Sequence, residues 1–414
     1  MIVSSIVSDS TEGLDNMKIL ELRISGFRSL YDVKWRPGNL NIIIGPNGSG
    51  KSNLLKVLDL ISNSAKGNLS KYIQREGGMD PLIWDGQAKG ISIQIDTTPF
   101  DKSRNIEKDS LTYELKLIKV GKTGYYDFAY ELLGNYYMAK KRLKEEPFKL
   151  LERSPKNVRV FNENNLALKI MDEYVPETET LLSVASGPLM ENHHITDYQR
   201  EISGWRIYQD LHTDQNSDIR KPMLAQRELE VSSDGQNLVS VLHTLYETNR
   251  QFEKNLNNAM KVAFGDDFEK FVFPPAADGR IQLRIRWKSL EREQSTADLS
   301  DGTLRFLFLI TVLANPNPPT VIAIDEPETG LHPSMLPIIA ELAADAAQKS
   351  QIIITTHSAE LLDAFTKFNP TTTIAKRDNG KTSLNVVSEK VLNAWIKDYT
   401  LGKIFRSGEL EELK

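Results

Sequence analysis

The eight residues GPNGSGKS at 45–52 constrain this chain more than any other part of its sequence. They follow an apolar run at 40–44, and the pattern predicts a buried strand, a glycine-rich turn and a helix. The glycines allow a tight turn that points successive N–H groups at a phosphate, and the helix adds its positive N-terminal end. Lys51 is then expected to reach the β- and γ-phosphates of a nucleotide, and Ser52 to ligate Mg²⁺. The residues expected to contact the nucleotide in this segment are Asn47, Gly48, Ser49, Gly50, Lys51, Ser52 and Asn53.

A second apolar strand ends in two acids, because VIAIDE occupies 321–326. Asp325 is a candidate Mg²⁺ ligand, directly or through water, and Glu326 is a candidate general base that polarises the attacking water. The simple alternative is a pair of solvent-facing acids at the end of a strand. The glycine-rich loop elsewhere in the chain favours the catalytic interpretation, since phosphoryl transfer needs a metal and an oriented nucleophile.

His357 follows an apolar strand predicted at 351–356 and is expected to hydrogen-bond a γ-phosphate. The alternative is that this histidine caps the helix that follows it. The other histidines, including the adjacent His193 and His194, show no spacing typical of a metal site.

The segment LSDGTL at 299–304 predicts a helix that begins near Ser300 and Gly302. A serine hydroxyl at a helix N-terminus is a second anion-binding device. Because the glycine-rich loop already occupies the phosphates of its own chain, the expected target here is a γ-phosphate bound by a partner chain. The alternative is an ordinary N-cap.

The composition is that of a soluble globular protein, with 414 residues, 40% of them hydrophobic and 26% charged, enough for two or three domains. The absence of cysteine excludes a disulfide framework and cysteine-based metal or nucleophile sites. A net charge of −5 excludes a wholly basic nucleic-acid coat but leaves room for a local basic face. No run approaches the ~18 apolar residues of a membrane helix and the N-terminus lacks a signal-peptide pattern, so a cytoplasmic location is expected.

Apolar periodicity is clear near both ends of the chain. Strands are predicted at 18–27, 31–35, 40–44, 91–96, 111–120 and 124–133, with a turn over Gly121–Gly124. Further on, strands at 320–325 and 351–356 alternate with helices at 302–314, 333–348 and 359–367, before a hairpin at Asn379–Gly380 and a helix at 388–398. This alternation implies a parallel sheet covered on both faces.

The middle of the chain has fewer clean periods. Residues 139–153 are interpreted as a solvated helix or loop, residues 236–262 as helical with Ser233 and Asp234 as candidate caps, and residues 280–288 as a strand. The expected organisation is a polar extension at 1–16 with Met17 as an alternative start, an N-terminal lobe at 17–133, an inserted middle at 134–265 and a C-terminal lobe at 266–414.

The order GPNGSGKS, LSDGTLR, VIAIDEPETGLHP and IIITTHS resembles the ABC-type ATPase heads of the SMC and RecF class. More narrowly, the chain resembles short bacterial AAA-family ATPases related to the nucleotide-binding half of OLD-family nucleases, a similarity that extends to ISGFRSL and WIKDYTLGKIFRSGEL. The matching motifs cover 17–62 and 295–405. The resemblance implies an α/β head, with a mixed sheet flanked by helices, an antiparallel β subdomain and an inserted middle region.

The resemblance also implies roles for individual residues. Lys51 and Ser52 would belong to Walker A, and Asp325 and Glu326 to Walker B. Ser300 and Gly302 would form the signature motif, which acts in trans on a partner's nucleotide. Glu328 would lie in the D-loop, and His357 would be the switch histidine. Arg28, in the FRS element, would approach the nucleotide, and Gln74 is the candidate for the Q-loop glutamine. Only a hairpin and a helix are expected after His357, too little for the TOPRIM nuclease domain of OLD-family proteins, so a nuclease or toxin effector would be a separate chain.

Together these features favour an ATPase that uses ATP and Mg²⁺, forms a homodimer or a higher oligomer on ATP, and acts in DNA transactions or anti-phage defence with a separate effector. The alternative is a nucleotide-switched regulatory module that holds or releases a protein partner without acting on DNA. A transporter ATPase is disfavoured by GFRS, by ETGLHP and by Asp301, which stands where transporters usually carry a second glycine.

Overall fold

The structure is a computed structural model that describes residues 17–99, 109–121, 124–137, 147–162, 167–169, 175–187, 192–388, 390–392 and 399–408. In chain order its strands are β1 (Ile19–Phe27), β2 (Leu30–Trp35), β3 (Leu40–Ile44), β4 (Gly90–Thr97), β5 (Asp109–Val120), β6 (Tyr125–Tyr137), β7 (Phe148–Ser154), β8 (Asn157–Phe161), β9 (Ala167–Lys169), β10 (Arg206–Tyr208), β11 (Met223–Leu224), β12 (Phe268–Val272), β13 (Pro275–Ala276), β14 (Arg280–Ile281), β15 (Arg284–Trp287), β16 (Gln294–Ser295), β17 (Val321–Asp325), β18 (Gln351–Thr356), β19 (Thr371–Asp378) and β20 (Lys381–Val386).

The α-helices, in the same order, are α1 (Lys51–Ala65), α2 (Leu69–Arg75), α3 (Leu181–Val184), α4 (His193–Ser203), α5 (Leu238–Thr248), α6 (Arg250–Phe264), α7 (Asp301–Leu313), α8 (Leu336–Ala346), α9 (Ala359–Phe365) and α10 (Leu401–Arg406). Single turns of 3₁₀ helix lie at Trp84–Gly86, Asp218–Arg220, Gly265–Asp267, Ala277–Gly279, Thr296–Asp298, Pro333–Met335 and Thr366–Phe368.

A six-stranded sheet in the order β10-β17-β18-β3-β19-β20 is the centre of the fold. The first five strands pair in parallel, and β20 returns antiparallel to β19. Strands β3, β17 and β18 are mainly apolar and buried, as a parallel sheet covered on both faces requires. The predicted α/β class and its parallel sheet are therefore confirmed.

Alternate residues of the central strands face two separate cores. On β18, Ile352 and Ile354 join a core built with helices α5 to α9, whereas Ile353 joins a core shared with α1 and the second large sheet. That second sheet has eight antiparallel strands in the order β2-β1-β4-β5-β6-β7-β8-β9. The central sheet is thus fixed from both sides.

The register of the parallel strands brings their carboxyl ends to one edge. Ile44 at the end of β3 lies opposite Thr356 on β18, and Thr355 lies opposite Asp325 on β17. The next strand, β10, ends one position away, where Tyr208 pairs with Ile324. The segments that leave these four strands therefore start side by side, although they are far apart in sequence.

Strand β7 occupies part of the segment 139–153 that the sequence suggested was a solvated helix or loop. The strand forms because Leu150 and Leu151 are buried and its backbone pairs with β6 and β8. The neighbouring charged residues make this short strand hard to recognise in the sequence. Two of them, Lys149 and Glu152, form an ion pair of 2.8 Å. Residues 138–146 lie outside the described part of the chain.

The single helical segment expected over 236–262 is two helices, α5 and α6. They break at Asn249, whose backbone is extended (φ −128°, ψ 102°) and whose side chain accepts a hydrogen bond from the Phe252 amide at 2.8 Å. The N-cap position of α5 is held by Asn237 and by neither of the two expected caps. The apolar periodicity of the sequence does not reveal this break, whereas the asparagine between the two helical patterns indicates it.

The middle region is continuous with the rest of the fold. Strand β6 crosses the expected boundary at 133, and β10 joins the central sheet. The strand expected at 280–288 is divided between β14 and β15, which belong to two different three-stranded sheets. The helix expected over 388–398 falls largely outside the described residues, and the C-terminal helix seen is α10.

Glu131 holds the antiparallel sheet to the start of α3. Its carboxylate is fully buried and accepts hydrogen bonds from the amides of Leu181 (2.7 Å) and Leu182 (2.9 Å) and from the hydroxyl of Tyr113 (3.0 Å). Burial raises the pKa of Glu131, and these three donors oppose that shift. The Glu131 carboxylate therefore has a structural role as the common hydrogen-bond acceptor of three donors.

Replacing Glu131 by alanine is expected to lower the free energy of unfolding by about 3 kcal/mol, because buried donors lose their acceptor. Asp127→Ala is the matched control, since Asp127 is exposed on the same strand; its effect should stay within about 0.5 kcal/mol. Urea unfolding followed by circular dichroism measures both variants. Equal midpoints for the two variants would contradict the role given to Glu131.

Candidate functional site

The glycine-rich loop at 45–52 joins β3 to α1 at the carboxyl edge of the central sheet. Gly48 and Gly50 adopt positive φ angles of 78° and 99°. A Cβ atom on Gly50 would lie 2.2 Å from the hydroxyl of Thr382 on β20. That hydroxyl is within 2.8 Å of the Ser49 carbonyl and 2.7 Å of the Ser29 hydroxyl. The β19–β20 hairpin thus clamps the loop from the side.

The ammonium group of Lys51 is buried under this loop, with the residue only 4% exposed. It donates to the carbonyls of Gly45 (2.8 Å) and Pro46 (3.3 Å) and lies 4.0 Å from a carboxylate oxygen of Glu326. Burial lowers the pKa of Lys51, and the nearby carboxylates oppose that shift. The site therefore holds a buried cation beside the carboxylates of Asp325, Glu326 and Glu328.

Asp325, at the end of β17, lies beside Ser52, the first residue after Lys51. Burial raises the pKa of Asp325, and hydrogen bonds from Thr355 and Ser52 oppose the shift. A carboxylate and a hydroxyl side by side are oxygen ligands of the kind Mg²⁺ prefers, and Mg²⁺ usually takes its remaining ligands from water and phosphate. Among the described residues, no group of three or more His, Cys, Asp or Glu side chains is placed to hold a metal ion without other ligands. The pair therefore fits a nucleotide-bound Mg²⁺ and not an all-protein metal cage.

Glu326 is held in a backbone conformation that few residues other than glycine adopt, with φ of 45°. Its amide donates to the carbonyl (3.1 Å) and the hydroxyl (3.2 Å) of Thr355 on the neighbouring strand. Its carboxylate lies 3.0 Å from Nδ1 of His357. Such strained conformations concentrate at functional sites, where the surrounding structure enforces them.

His357 and Glu328 complete the cluster. Oε1 of Glu328 accepts from the hydroxyl of Thr356 at 2.5 Å and from the amide of His357 at 3.4 Å. Burial raises the pKa of Glu328, and its Oε2 is buried without a hydrogen-bond partner in the described structure. His357 itself is 43% exposed and does not cap the next helix, because Ser358 does so through the Leu361 amide at 3.2 Å. The capping alternative for His357 is thereby removed.

Buried polar atoms that lack a protein partner mark this edge of the sheet. Ser49 Oγ in the glycine-rich loop is one of them among the residues that the structure describes. Asn47 belongs to the same loop, and Asn53, on the first turn of α1, donates from its side chain to the Ser29 hydroxyl at 2.7 Å. A buried hydroxyl without a partner in a glycine-rich loop fits a ligand rich in phosphate oxygens, which would accept its hydrogen bond.

Arg28 and Gln74 are less closely tied to this cluster. Arg28 has φ of 47° and pairs with Glu76, and it lines a cavity of about 490 Å³ together with Asn53 and Trp84. Gln74 is exposed on α2, and its side chain donates to Ser70 at 3.4 Å. The structure therefore places Arg28 beside the loop and leaves Gln74 on the outer face of a helix.

A different glutamine, Gln209, contacts the glycine-rich loop's helix. It follows β10 directly, donates to the backbone carbonyl of Ser52 at 3.4 Å, and lines a small cleft with Asp325 and Glu326. The sequence signal was WRIYQ at 205–209, a short buried strand that ends in glutamine. Three residues are too short for a periodicity argument, so sequence reasoning missed it.

The segment at 299–304 forms the start of α7. Ser300 is the N-cap: its hydroxyl accepts from the Thr303 amide at 3.1 Å, and the residue is exposed. A Cβ atom on Gly302 would lie 2.6 Å from the carbonyl of Gly330. Glycine is therefore required at 302 for the segment after Glu328 to approach this helix.

None of the helices in the described parts of the chain is both long enough and apolar enough to cross a membrane.

Solved structures share this fold at low sequence identity. An SMC head bound to the C-winged-helix domain of ScpA aligns with a TM-score of 0.56 and 17% identity, covering 91% of this chain and 99% of that one. A Smc head with an extended coiled coil bound to the C-terminal domain of ScpA, derived from Pyrococcus furiosus, gives 0.57 and 14%, covering 91% and 98%. A third Smc head, with a coiled coil and joint, from Pyrococcus yayanosii, gives 0.50 and 11%, covering 92% and 99%.

No curated protein sequence matches the chain. A family profile described as "AAA domain, putative AbiEii toxin, Type IV TA system" matches residues 40–363, well over half of the sequence. The matched range includes the glycine-rich loop, the start of α7, Asp325, Glu326 and His357. The chain therefore belongs to this AAA-domain family, and its fold is that of the ABC-type ATPase heads of SMC proteins.

Proposed function

We propose that this chain binds ATP with Mg²⁺ at the carboxyl edge of its central sheet and hydrolyses it. The observation that carries the proposal is the convergence of a buried lysine, a hydroxyl–carboxylate pair and a Glu326–His357 pair on one edge. Members of three distant segments meet there, and each supplies a group that phosphoryl transfer requires. A family match to AAA domains supports the same chemistry.

Each residue of the cluster has a distinct role in this proposal. The loop amides and Lys51 bind the phosphates, and Lys51 compensates negative charge in a buried setting. Ser52 and Asp325 hold Mg²⁺, which supplies positive charge to the phosphate oxygens. Glu326 orients and deprotonates the attacking water as a general base. His357, 3.0 Å from Glu326, fixes the direction of that carboxylate and reaches toward the γ-phosphate.

The cavity of about 490 Å³ beside the loop supports a place for the nucleoside. It is lined by Arg28, Asn53, Trp84 and Asn379, which offer a cation, two amides and an aromatic ring. In this arrangement Arg28 contacts the nucleotide. Gln209 takes the Q-loop role that sequence reasoning gave to Gln74, because Gln209 is the glutamine against Ser52.

The second half of the proposal concerns a dimer. Ser300 and Gly302 lie at an exposed helix N-terminus whose natural ligand is an anion. Its own chain binds phosphate elsewhere, at the loop around Lys51. We therefore assign this helix start to the ATP held by a second copy, so that ATP closes a symmetric head-to-head pair with two composite sites. Glu328 and the segment to Gly330 then lie beside both sites.

The cellular setting proposed is the cytoplasm, in DNA transactions or in defence with a separate effector protein. The family description names a toxin–antitoxin system, which supports an effector-linked role. The alternative is a regulatory module that holds or releases a protein partner without DNA. Salt-dependent DNA binding and hydrolysis stimulated by DNA would favour the first; a nucleotide-dependent protein partner with no response to DNA would favour the second.

The pair Gln209→Ala and Gln74→Ala tests the reassigned glutamine. Gln209→Ala is expected to slow ATP hydrolysis by about 10- to 100-fold, as loss of a group that supports a metal site typically does. Gln74→Ala is the matched control and should leave the rate within about two-fold. Steady-state phosphate release measures both, and a loss confined to Gln74→Ala would reverse the assignment.

Glu326→Gln should bind ATP but hydrolyse it slowly, because the amide keeps the shape of the side chain and loses the base. Positioned general bases contribute ~10²–10⁴-fold. Calorimetry measures the affinity of the variant for ATP, and single-turnover experiments measure its rate of hydrolysis. A variant that turns over at the wild-type rate would exclude Glu326 as the base.

Mixing two inactive variants tests the composite site. Ser300→Arg should block closure on a partner's ATP, and Lys51→Ala should abolish binding in its own chain. In a head-to-head pair of one of each, both lesions fall on one site and the other site is intact, so ATPase activity should return. Light scattering of Glu326→Gln with ATP reports the dimer directly. Full activity from a particle that stays monomeric would exclude the trans site.

A further inference from the structure

Arg220 is a buried cation with no part in the site described above. The residue is 9% exposed and ends the 3₁₀ turn Asp218–Arg220. A guanidinium group carries five N–H donors in a rigid plane, and burying it is costly unless those donors are used. The groups that its donors meet therefore indicate what it does.

All three guanidinium nitrogens of Arg220 hydrogen-bond to the loop that leads into α7 or to the segment before the turn. Nη1 donates to the carbonyls of Thr296 (3.1 Å), Ala297 (3.3 Å) and Leu299 (2.7 Å), and Nη2 to the Asp301 carboxylate (2.5 Å). Nε donates to the carbonyl of Thr213 at 2.8 Å. In return, the Thr296 hydroxyl donates to the Arg220 carbonyl at 3.1 Å. Ser300 thus sits inside a stretch whose neighbours on both sides are held by one side chain.

The segment that carries Arg220 begins at the nucleotide cluster. Gln209, at its start, contacts Ser52, and Leu211 accepts from the Arg305 side chain on α7 at 3.3 Å. At its other end, Gln236 accepts from the amides of Asp218 (2.8 Å) and Ile219 (3.3 Å) and so fixes the turn. A segment held by these hydrogen bonds therefore runs from α1, the helix that follows the glycine-rich loop, to the start of α7.

We infer that Arg220 is the positioning residue that presents Ser300 to the nucleotide of a second copy of this chain. The inference rests on the proposed function, since it requires the composite site. Arg220 fixes the backbone of 296–301, which determines where the hydroxyl and the helix N-terminus point. Its positive charge is matched by the Asp301 carboxylate at the same helix start, so its part is to hold this backbone in place. Arg220 does not touch the phosphates of its own chain in this assignment.

Arg220→Met tests the inference because methionine keeps much of the length and removes every donor. A misplacement of about 1 Å in a reacting site typically costs ~10²-fold, so the ATPase rate of Arg220→Met should fall by roughly that factor. ATP affinity of the separate subunit should stay within about two-fold of wild type, since Lys51 and its loop are untouched. A retained ATPase rate would overturn the inference.

Arg206→Met is the matched control. Arg206 also donates to three backbone carbonyls, those of Ser203, Gly204 and Trp205, and pairs with Glu230 at 2.6 Å. None of these groups belongs to 296–301. Loss of comparable hydrogen bonds there should leave the ATPase rate within about two-fold of wild type. If the ATPase rate of Arg206→Met falls to the same extent as that of Arg220→Met, a general loss of stability explains both and the inference fails.

Complementation separates a trans role from a cis role. Arg220→Met mixed with Lys51→Ala should regain activity, because the intact loop of the first faces the intact Ser300 segment of the second. An Arg220→Met subunit that binds ATP but gives no activity in this mixture would show that Arg220 serves its own site, and would overturn the inference. The Ser300→Arg and Lys51→Ala mixture is the positive control: if it also stays inactive, the composite site itself fails. Arg220→Lys, which keeps the charge but not the planar fork, replaces Arg220→Met if that variant does not fold and should behave in the same way.

Discussion

The buried ammonium group of Lys51 sets the charge balance on which the site depends. A cation removed from water is unfavourable unless polar groups surround it, and the Gly45 and Pro46 carbonyls supply only part of that compensation. The rest comes from Glu326 and the acids beside it, which belong to strand β17 and the turn after it. The order of the central sheet, with β18 between β3 and β17, is what brings that cation and those acids to a common edge. The strand order of the central sheet and the charge balance of the site therefore depend on each other.

Motifs whose meaning is local could be predicted from the sequence. A glycine-rich loop between an apolar strand and a helix can be recognised from neighbouring residues alone, and so can a strand that ends in two acids. Both lie where they are expected. The parallel sheet could be predicted for the same reason, since strands β3, β17 and β18 are mainly apolar. The sites expected at Asp325, Glu326 and His357 meet because those strands share one direction and one register.

Features that depend on distant pairing could not be predicted in this way. Strand β10 is three residues long and is a strand only because β17 pairs with it, so Gln209 had no visible period to mark it. Thr382 clamps the glycine-rich loop from a hairpin more than three hundred residues away in sequence. The contact of Gly302 with the Gly330 carbonyl is equally invisible, because a missing side chain leaves no pattern. Only the folded chain shows why glycine is needed there.

The same close contacts determine how two sites in a dimer would influence each other. Within one chain, Glu328 binds the His357 amide, and two residues later the Gly330 carbonyl packs on Gly302 beside Ser300. A second connection runs from Ser52 through Gln209 and its segment to Arg220 and the loop before Ser300. Both start at the site that the chain builds for itself and end at the residue proposed to complete its partner's site. If two copies pair symmetrically as proposed, each connection occurs twice, and any free energy by which nucleotide at one site favours closure at the other is reciprocal by linkage.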